Sequence, residues 1–521
     1  MLLIYPPLAK PCEAPAGIAQ LAGALRGHGL ECTLLDANLE GQLHLLGRQP
    51  QTDDTWSRRA GRAINDNLKK MGGPEIYANP ARYQRAVADI NRVLEQVGLK
   101  RQLNLSLANY QDPTVSPLKS ADLRRCASDP ARNIFFPWLG ERLTRILEAT
   151  NPKMVGLSLN YLSQAPTTFA LIGFLKKIAP ELPIVAGGGL ITSWLRNPAW
   201  DNPFAGLIDH LVAGPGEGPL LELLGLKNNE QHQTPDFQGL PRQGYLAPGF
   251  ILPYAASSGC YWNRCSFCPE KAEDNPYHSV PADRVVADLA TLCRKTQPAL
   301  IHLLDNAIAP ALMRRLIETP PGAPWYGFAR VSPLLTDPEF CRRLRQSGCL
   351  MLKLGIESGD QSVLDAMDKG IDLQMVAQTL SALEQAGIAT YVYLLFGTPS
   401  EGPDQARKTL DFVVSHQHAI TFLNLAVFNM PVASPEAAHL HAKDFYEGDL
   451  SLYSDFVHPQ GWGRKEIRTF LDREFKRHPA VISILQRDPP LFTSNHAPFF
   501  CRLKAEKNNK TPLTSQKDKN E

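Results

Sequence analysis

The sequence lacks any long uninterrupted apolar segment. No run approaches the roughly 18 apolar residues that a membrane helix needs, and the nearest candidates are short strand-like pieces such as YVYLLF at 391–396. The apolar N-terminus, MLLIYPPLAKP, also lacks the basic leader and the small-residue cleavage site of a signal peptide. We therefore expect a soluble, cytoplasmic protein with no membrane partner.

The chain has no excess of charge of either sign. Its 54 Lys and Arg residues nearly balance 52 Asp and Glu, which gives a formal net charge of +2. A near-neutral chain has no global field that would attract nucleic acid or anionic lipid, so we expect no nucleic-acid partner. At 521 residues the chain is too long for one ordinary core, and several domains are expected.

Cysteine is sparse, with 10 residues in the whole chain. This is too few for a disulfide scaffold, and in a reducing compartment a tight local group points to metal binding or catalysis. The only such group is Cys260, Cys265 and Cys268, in SSGCYWNRCSFCPE. We expect the scattered cysteines to be small buried hydrophobes: Cys12, Cys32, Cys126, Cys293, Cys341, Cys349 and Cys501.

Two segments alternate β-rich runs with helical patterns, which is typical of parallel sheets wrapped by helices. The first spans 1–225, and its strand signal lapses between about 43 and 151, which predicts a mostly helical insertion. The turn-rich residues 226–249 are predicted to link it to a second domain over 250–435. Six strand patterns separated by five helical ones predict an open α/β barrel there.

The C-terminal part of the chain changes character again. Residues 436–504 are irregular and rich in aromatics, which indicates a small appended domain. Residues 505–521 are polar, charged and nearly free of large apolar side chains. Such a segment cannot offset the entropy lost on ordering, so we predict that it is disordered.

The cysteine group is the strongest chemical signal. Three thiols within nine positions, directly after a predicted strand, are close enough to converge on one metal centre. A cubane cluster with three protein ligands leaves one iron open to a small molecule. Zinc would want a fourth ligand, for which His278 is the nearby candidate, and packing without metal is the third alternative.

From about 252 to 435 the sequence resembles the radical S-adenosylmethionine (SAM) superfamily, beginning with this loop. The resemblance implies that Cys260, Cys265 and Cys268 hold a 4Fe–4S cluster, that its open iron chelates the methionine part of SAM, and that Phe267 lies near adenine. One feature departs from the family pattern. Four residues, 261–264, separate the first two cysteines where the family usually has three.

Two further segments carry the resemblance. They are FARVSPLLTDPEFCRRLRQSGCLMLKLGIESGDQSVLDAMDKG and LLFGTPSEG, and both follow the family's order along the chain. Surface ion pairs are the alternative interpretation of Arg330 and Glu357. The resemblance places eight residues on the SAM side: Asp305, Asn306, Arg330, Glu357, Ser358, Gly397, Pro399 and Glu401.

The N-terminal segment resembles the Rossmann-like cobalamin-binding domains that precede such barrels. An open parallel sheet binds ligands at the carboxyl ends of its strands. The motif Asp-x-His-x-x-Gly, which supplies a histidine to cobalt in many cobalamin proteins, does not occur, and a degenerate domain without ligand is the alternative. The strand-end residues that would face cobalamin are Pro6, Pro7, Ser158, Asn160, Gly187, Gly188, Gly189, Gly214, Gly216 and Glu217.

The resemblance implies an α/β enzyme with a cobalamin-type domain, a partial (β/α)6 radical SAM barrel and a small C-terminal domain. Its chemistry would be cleavage of SAM to a 5′-deoxyadenosyl radical and, with cobalamin, methyl transfer to a small-molecule or natural-product substrate. It also implies an electron donor such as a flavodoxin or ferredoxin. Two alternatives stay open: radical rearrangement or oxidation without methyl transfer, and a non-catalytic iron–sulfur or zinc scaffold.

Overall fold

The computed structural model describes residues 1–48, 52–226, 232–489 and 496–504. Two parallel sheets dominate the molecule, one in each half of the chain, and helices pack against both. The predicted α/β class with an open barrel is confirmed. Among the described residues, no helix combines the length and apolarity that crossing a bilayer requires.

The N-terminal sheet has five parallel strands in the order β2-β1-β5-β6-β7. The chain reverses its direction of winding between β1 and β5, and ligand crevices form at such points, at the carboxyl ends of the strands. A two-stranded hairpin, β3–β4, lies outside this sheet. The strands are β1 (Leu2–Tyr5), β2 (Thr33–Asp36), β3 (Asn104–Leu105), β4 (Tyr110–Gln111), β5 (Val155–Ser158), β6 (Ile184–Gly187) and β7 (His210–Leu211).

Helices cover both faces of this sheet. Along β1, Leu3 packs towards one layer and Leu2 and Ile4 pack towards the other, as the twofold repeat of a strand dictates. The helices of this half are α1 (Ala16–Gly27), α2 (Ala37–Leu46), α3 (Thr55–Met71), α4 (Pro80–Leu99), α5 (Ser120–Ser128), α6 (Phe136–Thr150), α7 (Ala165–Ile178), α8 (Gly189–Leu195) and α9 (Glu217–Leu223). The stretch predicted as a helical insertion contains α3 to α6 and the hairpin.

The segment between the two sheets is extended but firmly packed. Residues 232–249 contain no helix or strand, and 227–231 lie outside the described residues. Phe237, Leu240 and Tyr245 are nevertheless buried in the core shared by the two halves, because they fill the groove between them.

The second sheet has six parallel strands in the order β15-β14-β13-β12-β11-β8, with an open edge at each end. Its strands, and a short pair beside the cysteine loop, are β8 (Ile251–Tyr254), β9 (Ser257–Ser258), β10 (His278–Ser279), β11 (Leu300–Leu303), β12 (Trp325–Ala329), β13 (Cys349–Glu357), β14 (Ala389–Phe396) and β15 (Phe422–Val427). Every crossover between neighbouring strands of the sheet carries a helix. The helices are α10 (Pro269–Ala272), α11 (Ala282–Thr296), α12 (Pro310–Glu318), α13 (Pro338–Gln346), α14 (Gln361–Ala366), α15 (Leu373–Gln385) and α16 (Pro403–Ser415).

The C-terminal elements close around the barrel. A three-stranded antiparallel sheet in the order β16-β18-β17 is followed by two helices and a 3₁₀ segment over Ala497–Lys504. The predicted disordered tail, 505–521, lies outside the described residues. The elements are β16 (Met430–Pro431), β17 (Ala442–Asp444), β18 (Tyr453–Phe456), α17 (Arg464–Arg473) and α18 (Pro479–Leu485).

Candidate active site

The cysteine loop leaves the carboxyl end of β8 and is held by two residues of the neighbouring strand end. The carboxylate of Asp305 accepts hydrogen bonds from the Ala256 N–H at 3.2 Å and the Ser257 hydroxyl at 2.5 Å. The Asn306 side-chain amide donates to the carbonyl of Gly259 at 3.1 Å. The structure therefore places these two predicted SAM-side residues where they shape the loop.

The three thiols are all half-buried and unpaired by disulfides. Burial raises the pKa of Cys268 to about 11, although the backbone N–H groups of Glu270 and Lys271, at the start of α10, oppose it. Burial also raises the pKa of Cys265, against the nearby positive charges of Lys369 and Arg330. These cations and N–H groups would stabilise bound thiolates.

Among the described residues, the structure brings no three His, Cys, Asp or Glu side chains together as a ligand set for one metal ion. In a cubane each cysteine binds a different iron, which separates the thiolates more widely. His278, the candidate fourth zinc ligand, is exposed on β10 and pairs with Ser258 of β9.

The long first gap of the loop is anchored by Trp262. Its ring lies 3.7 Å from the guanidinium of Arg330, and its indole N–H donates to the Asp368 carbonyl at 3.1 Å. Arg330 also donates to the carbonyls of Lys369 and Gly370. The additional residue is accommodated because the loop packs on the segment after α14, and Arg330 is part of that contact.

A buried ion pair lies beside the cysteines. Glu357, at the end of β13, accepts a hydrogen bond from Lys369 at 2.8 Å, and the two side chains are only 11% and 10% exposed. The Lys369 ammonium lies 5.4 Å from the centre of the Phe267 ring. Glu357 has a φ of 70°, which is strained for a residue other than glycine and is common at functional sites.

The side chains of Ser358 and Glu401 make polar contacts within the protein. Ser358 is fully buried, and its hydroxyl lies 3.2 Å from that of Thr409 on α16. Glu401 is also fully buried and accepts the N–H of Gly397, so it closes the turn after β14. Burial raises the pKa of Glu401 to about 7. These hydrogen bonds hold the strand ends together, and the position of both residues beside SAM stays a prediction.

The turn that Glu401 closes also contains Gly397 and Pro399. Gly397 has a φ of 84°, and a Cβ there would lie 2.3 Å from Ile467 of α17. Glycine at this position therefore allows the C-terminal domain to approach closely, and its place on the SAM side stays a prediction. Pro399 is half-buried in the same turn.

The N-terminal sheet carries a crevice of about 110 Å³ at its reversal point. The crevice lies between α1, α9 and the strands β1, β5 and β6, and no histidine lines it. Predicted residues on its wall are Ser158, Gly187, Gly188, Gly214, Gly216 and Glu217. Gly17 and Gly156 also line it, although the sequence analysis did not select them.

Four residues predicted to face cobalamin lie outside this wall: Pro6, Pro7, Asn160 and Gly189. Asn160 bridges loops, because its side-chain oxygen accepts the Gly189 N–H at 3.0 Å and its side-chain NH2 donates to the Ser158 hydroxyl. The carbonyl of Pro6 accepts a hydrogen bond from Gln164 at 2.7 Å. Pro7 is the next residue of the same β1–α1 loop. These residues shape the strand ends.

Three polar residues that the sequence analysis missed meet inside the barrel: Glu13, His302 and Lys353. His302 and Lys353 interrupt the otherwise apolar strands β11 and β13, in LIHL and CLMLKLGIE. A polar residue on a central strand of a parallel sheet is a usable signal, because such strands are normally apolar throughout.

Comparison with known families agrees with this geometry. Residues 254–413, from the end of β8 into α16, match the model of the radical SAM superfamily. The chain contains a radical SAM domain. Its cysteine loop, its Glu357 strand end and its Gly397 turn all lie within the matched residues.

Two curated relatives are similar to more of the chain than the barrel alone. An uncharacterized methyltransferase of Pyrococcus horikoshii is 22% identical, over 52% of this chain and 66% of that protein. The hopanoid C-3 methylase of Methylococcus capsulatus is 25% identical, over 59% of this chain and 64% of that protein. The chain thus spans just under two thirds of the length of these relatives.

A solved structure shares the overall fold. The radical SAM methyltransferase TsrM from Kitasatospora setae, with cobalamin and a 4Fe–4S cluster bound, has a TM-score of 0.50 and 16% identity, and the match covers 84% of this chain and 74% of TsrM. The likeness includes both sheets, since it covers most of the chain.

Proposed function

We propose that this protein is a cobalamin-dependent radical SAM methyltransferase acting on a small organic molecule. The observation that carries the proposal is the presence, in one chain, of a three-thiol loop at the mouth of the barrel and a glycine-lined crevice at the reversal point of a separate parallel sheet. The names of the relatives support methyl transfer.

The residues have distinct tasks in this proposal. Cys260, Cys265 and Cys268 would hold a 4Fe–4S cluster, which when reduced supplies the electron for cleavage of SAM. The Glu357–Lys369 pair and Phe267 flank the open side of the loop, where they would position SAM. Asp305, Asn306 and Arg330 would keep the loop in place. An electron donor such as a flavodoxin or ferredoxin would deliver the electron.

The crevice fits the nucleotide tail of cobalamin in its character. Its walls are mostly apolar side chains and glycine backbone, with Ser158 and Glu217 as the polar side chains, and the glycines permit a flat ring to approach closely. None of the residues that line the crevice is a histidine, so these residues would offer cobalt no imidazole ligand. The cofactor itself supplies methyl-group chemistry when bound.

Anaerobic reconstitution with iron, sulfide and hydroxocobalamin tests the proposal. We expect stoichiometric cobalamin, 5′-deoxyadenosine formation from SAM, and a paramagnetic resonance spectrum of the one-electron-reduced cofactor without nitrogen superhyperfine splitting. SAM cleavage without any cobalamin uptake would replace methyl transfer by radical rearrangement or oxidation. Absence of both activities would contradict the proposal altogether.

A further inference from the structure

The inward face of the barrel carries a buried cation. Lys353, in the middle of β13, is 4% exposed, because Leu352 and Leu354 on either side face the surrounding helices and direct it into the barrel. Its ammonium lies 4.9 Å from the centre of the Phe328 ring and 5.3 Å from that of Tyr326. Burial lowers its pKa to about 8, so the side chain is mostly protonated at neutral pH.

This ammonium is under-satisfied. In the part of the chain that the structure describes, its one hydrogen-bond acceptor is Nε2 of His302, at the long distance of 3.5 Å. An ammonium carries three N–H donors, and leaving them unpaired in a buried site is costly. An oxygen-bearing ligand beside Lys353 would remove that cost.

The N-terminal domain completes the cluster. Glu13, in the loop between β1 and α1, reaches His302 with both carboxylate oxygens, at 3.1 and 3.0 Å from Nδ1. The side chains of Glu13 and His302 keep 27% and 13% of their surface exposed, so the cluster is open to solvent on the Glu13 side. The cluster therefore lies between the proposed cobalamin domain and the barrel.

The charges around the cluster favour an anion. The negative charge of Glu13 acts on Lys353, and Lys10, from the same loop, acts on it with a second positive charge. The carboxylate of Glu13 is also paired with His302. Because the Lys10 side chain is exposed and Lys353 is buried, Lys353 supplies the weakly screened positive charge that an anion would meet here.

The wall next to Lys353 is aromatic. Phe328 and Tyr393 are half-buried, with ring centres 5.0 Å apart, and Tyr326 stacks on His302 at 4.4 Å. Such rings bind flat or apolar groups well. The surroundings of Lys353 therefore combine one buried cation with aromatic faces beside it.

We propose that the barrel interior binds a carboxylate-bearing organic molecule, with the Lys353 ammonium donating to the carboxylate and the Phe328–Tyr393 wall packing against the apolar body. That this molecule is the methyl acceptor rests on the proposed function. The carboxylate site itself rests on the cluster of Glu13, His302 and Lys353.

The probe is 3-phenylpropionate, compared with the neutral 3-phenylpropanamide. We expect the reconstituted wild-type protein to bind the carboxylate at least about tenfold more tightly than the amide in titration at pH 7. Lys353→Met, which has similar length and no charge, is expected to lose this preference. Lys295→Met, at an exposed position on α11 of the same barrel, should retain it.

A second measurement needs no variant. Acylation of wild-type Lys353 by acetic anhydride, followed by peptide mass spectrometry, should slow in the presence of 3-phenylpropionate and not in the presence of the amide. Equal binding of both probes, undiminished preference in a folded Lys353→Met protein, or unprotected acylation would each overturn the inference. These readouts do not depend on SAM cleavage, so loss of 5′-deoxyadenosine formation in the wild type would contradict the proposed function instead.

Discussion

At the scale of single residues, the Glu357–Lys369 pair links the end of β13 to the cysteine loop. Removing one partner of a buried pair leaves the other charge uncompensated. We expect Glu357→Gln and Lys369→Met each to weaken SAM binding about tenfold while the absorbance of the cluster is preserved. Glu339→Gln removes an exposed pair with Arg342 on α13 and is the matched control.

Equilibrium dialysis with labelled SAM measures this effect. If Glu357→Gln binds SAM with the same dissociation constant as the wild type, the pair has a structural role and does not contribute to SAM binding. The double variant Glu357→Gln/Lys369→Met tests whether the two residues act on SAM binding as one pair. If they do, the losses of SAM affinity in the two single variants will not add in the double variant.

The residue scale also shows what the sequence could and could not predict. The three cysteines and Glu357 could be proposed as site residues from the sequence because their spacing follows a motif. Ser358 and Glu401 belong to the same motifs, yet both are buried and bonded within the fold. A motif specifies the order of residues along a strand end, whereas the orientation of each side chain depends on packing from α16 and α17.

At the scale of elements, the crevice of the N-terminal sheet depends on α1 presenting glycine at position 17. A Cβ there would lie 3.4 Å from the Ser158 hydroxyl, which is ordinary contact, so Gly17→Ala is tolerable. Gly17→Leu is expected to fill the crevice and to reduce hydroxocobalamin uptake at least about tenfold, since an apolar side chain would occupy the ligand's space.

Absorbance of the protein after gel filtration reports the bound cobalamin. Gly17→Ala, which also suits a helix, should retain full uptake. If Gly17→Leu binds cobalamin as the wild type does, the crevice is not the binding site.

The linker before β8 is fastened to α11 by one buried carboxylate. Asp288 is only 2% exposed and accepts hydrogen bonds from His232 at 2.7 Å, Thr234 at 2.6 Å and Tyr254 at 2.9 Å. Burial alone would raise the pKa of Asp288, but these donors outweigh it and hold the pKa below its ordinary 3.8. The stabilisation is thus present above about pH 4 and is lost as the pH falls further.

Asp288→Asn is expected to lower the free energy of unfolding by about 1–3 kcal/mol at pH 7, because buried donors lose a charged acceptor. The difference from the wild type should shrink in acid below about pH 4, where the wild-type carboxylate also becomes protonated. Denaturant unfolding at pH 7 and below pH 4 measures the difference in unfolding free energy between the variant and the wild type. Asp404→Asn, at an exposed position, is the control. A difference that is independent of pH would contradict the charge-based account.

At the scale of the whole molecule, hydrophobic periodicity predicted both parallel sheets and the open barrel. It could not predict how the two halves meet. The linker reads as polar and turn-rich, yet Phe237, Leu240 and Tyr245 are buried in the shared core. Contacts such as Glu13 with His302 join residues 289 positions apart, and no local pattern carries that information.

The central claim is that Cys260, Cys265 and Cys268 hold the cluster that cleaves SAM. The most direct measurement compares 5′-deoxyadenosine formation by the anaerobically reconstituted wild type and the triple alanine variant. Cys293→Ala, which replaces a cysteine of α11 outside the loop, is the control. We expect product from the wild type and the control and none from the triple variant, because loss of these thiolates removes the ligands of three irons. Equal 5′-deoxyadenosine formation by the triple variant would contradict the account.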